Sequence, residues 1–507
     1  PIVLVTGGIV LGLCNFLTSF TIDPDLIFFI FLPPLLYEAA WQVSWKQFWK
    51  FRRVIMSFAF PIVILTSCVV AFASYAFIPG FTLALGFLLG GIVSPPDAIS
   101  ATTIMRQVKV PKSMVTIAEG ESLLNDASSL IVFRFALVAI ITGQFSFREA
   151  TINFFLVIIA GALIGLAIGL IVYAIHRWMI RTPNIEIVLT LVTPYVMYYL
   201  AEHYHFSGVL AVVTGGLFLS SKRQTMLTYK SRVQGFNVWA NFVFVLNGLV
   251  FLLIGLQLPS IVQQLGDISL SNAIWYGLAI SLVLIITRIM CTIGAVYFTM
   301  FMSRFITVAD AKPGFKGPLI LGWAGMRGVV SLAMALSIPL LIDGKAFPYR
   351  NLILFITFIV ILVTLVFQGL TLPWLIRKVN FQERADVIPD EEQELIIQKK
   401  ISKVSLQLLE EKYTAERNNN EHLNNLFARL QLDIDFFQQD LKELVSSSNN
   451  SMADFQRIYL ELLERQRELL NEMNKKDEYD EELIRKYLGL IDIEEFRLKE
   501  KMISTDS

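Results

Sequence analysis

The sequence predicts an all-α polytopic membrane protein with a helical polar tail. Three observations carry that prediction: the composition, the recurrence of apolar segments of spanning length, and the alternation of basic residues between them. Of 507 residues, 55% are hydrophobic and 17% charged, with a mean hydropathy of +0.60. That is more apolar material than one soluble domain can bury.

A helix needs roughly 20 apolar residues to cross the hydrocarbon core of a bilayer. About twelve such segments recur between short polar breaks. They are Pro1 to Leu17, Asp25 to Ala40, Val54 to Ile78, Phe81 to Met105, Met114 to Thr142 and Thr151 to Trp178. The others are Ile185 to Ala201, Phe206 to Ser220, Val238 to Leu258, Ala273 to Met302, Leu319 to Ile342 and Leu352 to Ile376. The chain opens at Pro1 inside an apolar run, without an initiating Met or a charged n-region, which predicts a further N-terminal stretch ahead of it.

Basic residues test the assignment, because cytoplasmic loops are enriched in Lys and Arg. One set of connections holds Lys46, Lys50, Arg52, Arg53, then Arg106, Lys109, Lys112, then Arg177, Arg181. The same set continues with Lys222, Arg223, Lys230, Arg232, then Arg304, Lys312, Lys316, and ends at Arg377 and Lys378. The alternate connections hold only Arg148, Lys345 and Arg350. The first set is therefore expected on the cytoplasmic side, together with the C-terminus.

The net charge is +0, and most charge lies after Arg377, so nucleic-acid binding has no support. Cys14, Cys68 and Cys291 stand singly in apolar segments beside only 4 histidines, which argues against a disulfide framework or a zinc site. Residues 1–378 read as a transmembrane domain and 379–507 as a cytoplasmic helical tail. The tail shows helical periodicity at Leu423, Leu426, Leu430, Ile434, Phe437, Leu441 and Leu444, interrupted by the stretch Ser446 to Ser451. Pairing with a second copy across a dimer and a plain solvated tail are both open readings of it.

Charge in a spanning helix costs at least ~2.5 kcal/mol at the bilayer centre, so buried ionisable residues mark candidate sites. In the fifth segment, Glu119-Gly-Glu121-Ser122-Leu-Leu-Asn125-Asp126 sets Glu121 over Asn125 and Ser122 over Asp126, with Ser129 following. Such a stripe of carboxylate, amide and hydroxyl oxygens suits a hard cation such as Na⁺, and a proton can take the same carboxylate. Interhelical hydrogen bonding is the plainer reading of Asn125 and Asp126. In the fourth segment, Pro95 and Pro96 end a helix inside the membrane. Asp97 beyond them is an N-cap carboxylate, an ion ligand, or both.

The eleventh segment carries Gly322-Trp323-Ala324-Gly325-Met326-Arg327-Gly328, a second expected break around one buried arginine. Arg327 could neutralise carbonyls exposed by the two breaks, or the glycines could simply serve close packing. Arg288 in the tenth segment needs an anionic partner, for which Glu121 is available, as a structural pair and not a transport ligand. Pro33-Pro34 predicts a further break beside Glu38, a possible lining of the entrance or an interfacial carboxylate. Arg134, farther along the fifth segment, has no assigned role.

The run Gly120 to Asp126, GESLLND, resembles the monovalent cation:proton antiporter-1 family, which includes bacterial NhaP-type antiporters and the sodium/proton exchangers of animals and plants. Phe31 to Ala40, Ser94 to Ala98 and Gly322 to Gly328 match further family motifs in order, covering Pro1 to about Lys378. The resemblance implies two inverted repeats with crossed, broken helices, and about thirteen helices in a full-length chain. It makes Asp126 the shared cation and proton carboxylate, beside Asn125, with Ser122 and Asp97 as further ligands of a monovalent cation. Glu121 and Arg288 become the structural ion pair, and Arg327 supports the unwound helices. The family often has Thr-Asp-Pro where this chain has Pro96-Asp97-Ala98.

The implied function is electroneutral exchange of Na⁺, Li⁺ or K⁺ for protons across the plasma membrane, by a multi-pass homodimer without a cofactor or enzymatic step. Because one carboxylate holds either occupant, flux would be coupled. A gated cation channel or uniporter and a membrane sensor acting through the tail are the alternatives. An intramembrane enzyme is weaker, since no H-E-x-x-H pattern occurs and Asn125 stands where a second acid would be needed.

Overall fold

Where no water is available, backbone N–H and C=O groups must pair within each apolar segment, and helices are the outcome. The computed structural model describes residues 2–13, 24–108, 110–143, 147–179, 182–263, 265, 268–302, 314–342, 344–379, 390–414, 420–443, 450–473, 484 and 487–495. Cys14, Lys109, Arg181, Arg304, Lys312, Leu444 and residues 446–449 lie outside the described residues, as does the Arg148 side chain.

The first half comprises α1 (Ile2–Leu13), α2 (Pro24–Gln42), α3 (Trp45–Ser57), a π-helical turn Phe58–Ile62, α4 (Val63–Phe77), α5 (Leu83–Val93), α6 (Ala98–Gln107), α7 (Lys112–Thr142) and α8 (Phe147–Trp178). It continues with α9 (Pro183–His203), α10 (Gly208–Met226), α11 (Tyr229–Gln263), α12 (Leu270–Met302), α13 (Lys316–Trp323) and α14 (Val329–Leu336). A hairpin of β1 (Leu341–Ile342) and β2 (Lys345–Ala346) leads to α15 (Arg350–Val363), a second π-helical turn Thr364–Gln368, and α16 (Gly369–Val379). Every predicted segment contains helix. Among the described residues, 7 helical stretches are long and apolar enough to cross a membrane unaided. The remaining segments appear as α1, α2, α10 and the paired half-helices α5/α6 and α13/α14.

Three local expectations are corrected. Pro33 and Pro34 do not break α2. Pro34 removes the N–H that would have served Ile30 O, and the Tyr195 hydroxyl of α9 donates to that carbonyl at 3.2 Å instead. The third segment begins at Trp45 rather than Val54, because α3 is amphipathic: exposed Trp45 and Trp49 flank basic residues, and Arg52 sits 4.6 Å over the Trp49 ring. The eleventh segment stops being helical at Leu336, and Ile342 lies in the hairpin. Arg350 donates to Ile338 O at 2.9 Å and Leu336 O at 3.3 Å, meeting the carbonyls at the end of α14.

The helices pack as two groups. α1 lies along α11, and α10 lies against α8, α2 and α9. In the other group α5 lies between α4 and α7, while α12 packs on α13 and α15. Backbones touch closely in the first group: a Cβ on Gly165 of α8 would overlap the Ala211 backbone of α10. A buried acid absent from the sequence reading, Glu186, sits in the first turn of α9 and accepts the Thr228 N–H at 3.0 Å and its hydroxyl at 3.1 Å. Thr228 precedes α11, so the N-terminal ends of two helices share one carboxylate.

Residues 383–507 form a separate compact unit. Within it α17 (Asp390–Lys412) packs with α18 (Glu421–Glu443), and α19 (Asn450–Met473) follows. Arg467 of α19 pairs with Asp492 at 3.0 Å and Glu495 at 2.5 Å.

Candidate ion-binding site at two helix breaks

Pro95 and Pro96 offer no N–H, so α5 ends at Val93 with carbonyls left over, and α6 starts only after Asp97. The second interruption, Ala324 to Gly328, separates α13 from α14. Each break satisfies the other. Arg327, fully buried, donates from Nε to Val93 O at 2.9 Å and from Nη2 to Ser94 O at 3.3 Å, and also reaches Gly325 O. In return the Asp97 N–H donates to Met326 O at 2.7 Å. Thr364 accepts the Arg327 backbone N–H at 3.1 Å, so the second π-helical turn holds the same strand of unwound chain.

The approach is close enough that a Cβ on Gly328 would fall on the Asp97 carboxylate. Gly328→Ala is therefore expected to displace Asp97 and raise the cation concentration needed for half-maximal transport, with protein yield retained. A cation titration of the variant in vesicles checks this, and an unchanged midpoint would count against Asp97 as a ligand.

α7 presents its polar stripe to this crossing. Asn125, fully buried, donates from Nδ2 to Pro96 O at 2.9 Å. Asp126 is buried one residue on, within electrostatic reach of Asp97. Ser122, half-buried, lies one turn before Asp126. Ser128 donates to Ala59 O at 2.5 Å, a carbonyl of the first π-helical turn. Carboxylate and hydroxyl oxygens from α7 and the first break could thus surround a desolvated monovalent cation.

Glu121 points away from that cluster to α12, where Arg288 Nη2 donates to Oε2 at 2.7 Å and Nη1 lies 2.7 Å from Oε1, both side chains 3% exposed. Glu38 accepts from Gln42 and lies within electrostatic reach of the Arg106–Glu119 pair. Those neighbours set Glu38 beside a charged cluster at the expected cytoplasmic side, separate from the contacts of Asp126.

Arg134 pairs with Glu202 of α9, and Glu202 Oε1 also accepts the Gly208 N–H at 3.0 Å, so α7, α9 and α10 meet there. The sequence signal was weak, because Glu202 lies just past the predicted end of its segment. Arg134→Glu is expected to lower the melting temperature in detergent, and adding Glu202→Arg to restore it. Equal melting of all three proteins would show that the pair contributes nothing, as exposed pairs can. Thr364 and Ser128 were also missed, since single polar residues in apolar helices carry no spacing signal.

The description "sodium/hydrogen exchanger, transmembrane" belongs to a family model that matches residues 1–378. A sodium, potassium, lithium and rubidium/H⁺ antiporter of Bacillus pumilus is 33% identical over 397 residues, covering 76% of this chain and 59% of the relative. The antiporter of the same description from Bacillus subtilis is 32% identical over 383 residues, covering 74% of this chain and 57% of the relative. The chain thus aligns with less than two thirds of either relative. A solved sodium proton antiporter of Methanocaldococcus jannaschii shares the fold, with a TM-score of 0.55 at 18% identity, covering 75% of this chain and 92% of that one.

Proposed function

The chain belongs to the sodium/hydrogen exchanger family, and from that premise we propose that it exchanges a monovalent cation, Na⁺, Li⁺ or K⁺, for protons by alternating access. The observation that carries the reading is the buried Asp126 at the crossing, with Asn125 tied to Pro96 O and Asp97 tied to Met326 O. Its carboxylate accepts either a cation or a proton, never both. Each occupant carries one positive charge, so exchange is one-for-one and electroneutral.

Movement follows from the two helix groups. The group that holds both breaks is internally cross-linked by Arg327, Asp97, Asn125 and the Arg288–Glu121 pair. It shifts as a body against the other group, exposing the crossing to each face in turn. Ser122 and Asp97 complete the cation's ligands, and Glu38 lines the approach from the cytoplasm.

The enrichment of Lys and Arg in alternate connections supports a cytoplasmic C-terminal unit in a plasma-membrane protein. The apolar outer faces of α8 and α11, which expose Ile159, Leu163, Phe244 and Val245, suit lipid and a second copy of the chain. Transmembrane domain and tail divide at about residue 378, close to the end of the family match.

The test uses purified full-length chain in liposomes with an internal pH dye and an imposed proton gradient. Addition of Na⁺, Li⁺ or K⁺ is expected to move protons without change in membrane potential. Cation flux without proton movement would replace the exchanger by a channel or uniporter. Silence toward all three ions would favour a sensor.

A further inference from the structure

Exchange by movement of one helix group against the other needs contacts that hold in one orientation and part in the other. The hydrogen bonds and ion pairs described above fall inside one group or the other, with one exception. Arg106–Glu119 and Arg288–Glu121 both stay within the group that carries the breaks. Arg134 of α7 pairs instead with Glu202 of α9, across the boundary.

Its position says which orientation it serves. α7 starts at Lys112, beside a basic connection, and Arg134 lies about two turns beyond Asp126, roughly 12 Å toward the opposite end. Glu202 stands near the end of α9, just ahead of a connection to α10 that holds neither Lys nor Arg. The pair therefore bridges the groups on the side opposite the basic connections, the outer side in the reading above.

The two halves of the pair are held differently. Glu202 stays with its own group whatever Arg134 does, because its Oε1 accepts the Gly208 N–H at 3.0 Å, in the first turn of α10. The Arg134 and Glu202 side chains are 36% and 24% exposed, so water can take over both charges when the pair parts. The Arg288–Glu121 pair, 3% exposed on both sides, could not part at such low cost. The sealed pair suits a permanent joint, and the wet one a contact made and broken in every cycle.

We propose that Arg134 and Glu202 form an outer latch: the pair is made while the crossing faces the cytoplasm and is broken while it faces outside. The latch sets the balance between the two orientations, and with it the cation concentration that each face requires. This rests on the exchange reading above, and its test includes a readout independent of transport.

Loss of an exposed pair shifts a two-state balance by about twofold to fivefold. Arg134→Gln and Glu202→Gln are each expected to lower the half-saturating Na⁺ concentration at the outer face by that factor, measured in right-side-out membrane vesicles. Inside-out vesicles are expected to show no lowering at the cytoplasmic face. An equal change at both faces, or none at either, would overturn the proposal. A bifunctional methanethiosulfonate joining Arg134→Cys to Glu202→Cys, in a full-length chain with Cys14, Cys68 and Cys291 replaced by Ser, is expected to stop exchange, and reductant to restore it. A joined chain that exchanges like its reduced form would make the pair a fixed joint and end the latch. In the same chain the rate of joining is expected to fall when Na⁺ is saturating at the outer face only, and an unaltered rate would also overturn the latch. If wild type itself moves no protons, the exchange reading fails, and the joining rate still decides whether the contact opens with the ion.

Discussion

Asp126→Asn is expected to bring cation-driven proton movement down to that of protein-free vesicles while leaving the protein folded. Asparagine fills the same volume, and Ser129 Oγ donates to the backbone carbonyl of residue 126, which the substitution leaves in place. What disappears is the only atom pair at that position able to bind a proton at one moment and a cation at the next. Neighbouring oxygens on Ser122 and Asp97 remain, so weak cation binding without proton coupling is a distinguishable partial result. Size-exclusion chromatography checks folding, and dye-filled vesicles with each of the three cations check exchange. Wild-type exchange by Asp126→Asn would move the proton-binding carboxylate elsewhere.

Arg288→Met is expected to be nearly as damaging, for a different reason. The pair with Glu121 is almost sealed from solvent, and each charge is tolerated only because of the other. Removing one partner of a buried pair costs about 3 to 5 kcal/mol, whereas replacing both by groups of similar volume is often close to neutral. Arg288→Met and Glu121→Gln should each lower the melting temperature in detergent and the yield of folded protein, and the double variant should recover most of both. If the single variants melt with wild type, the pair is not what holds α7 against α12. If the double variant is stable yet fails to exchange, the charges have a role in transport beyond holding the helices.

The fold was legible because a bilayer leaves few options. Apolar runs of sufficient length gave the helices, and the basic connections gave a consistent alternation. The failures have local causes. The helix through Pro33 and Pro34 is supported at Ile30 O by a tyrosine 165 positions farther along the chain, which no local rule reveals. The hairpin at Leu341 to Ala346 is too short and too apolar at its start to differ from the end of a spanning helix.

For the site, proline and glycine punctuation marked both interruptions, and the shortage of buried acids pointed Arg288 toward Glu121. The reciprocal bonding of the two breaks was suggested only from the side of Arg327. That the Asp97 N–H meets Met326 O depends on which atoms come together across more than two hundred positions, so it became visible only in three dimensions.

The contact of α8 with α10 at Gly165 and Ala211 leaves no side chain between the two backbones. α8 is 32 residues long, about 48 Å at 1.5 Å per residue, against a hydrocarbon core of about 30 Å. A helix locked to its neighbour in this way has little freedom to change its tilt when bilayer thickness changes, so the lipid must stretch or compress to meet it. Turnover should then vary with acyl-chain length, passing through an optimum in vesicles of graded thickness, and the composition of the surrounding membrane becomes one of the variables that set how fast the protein works.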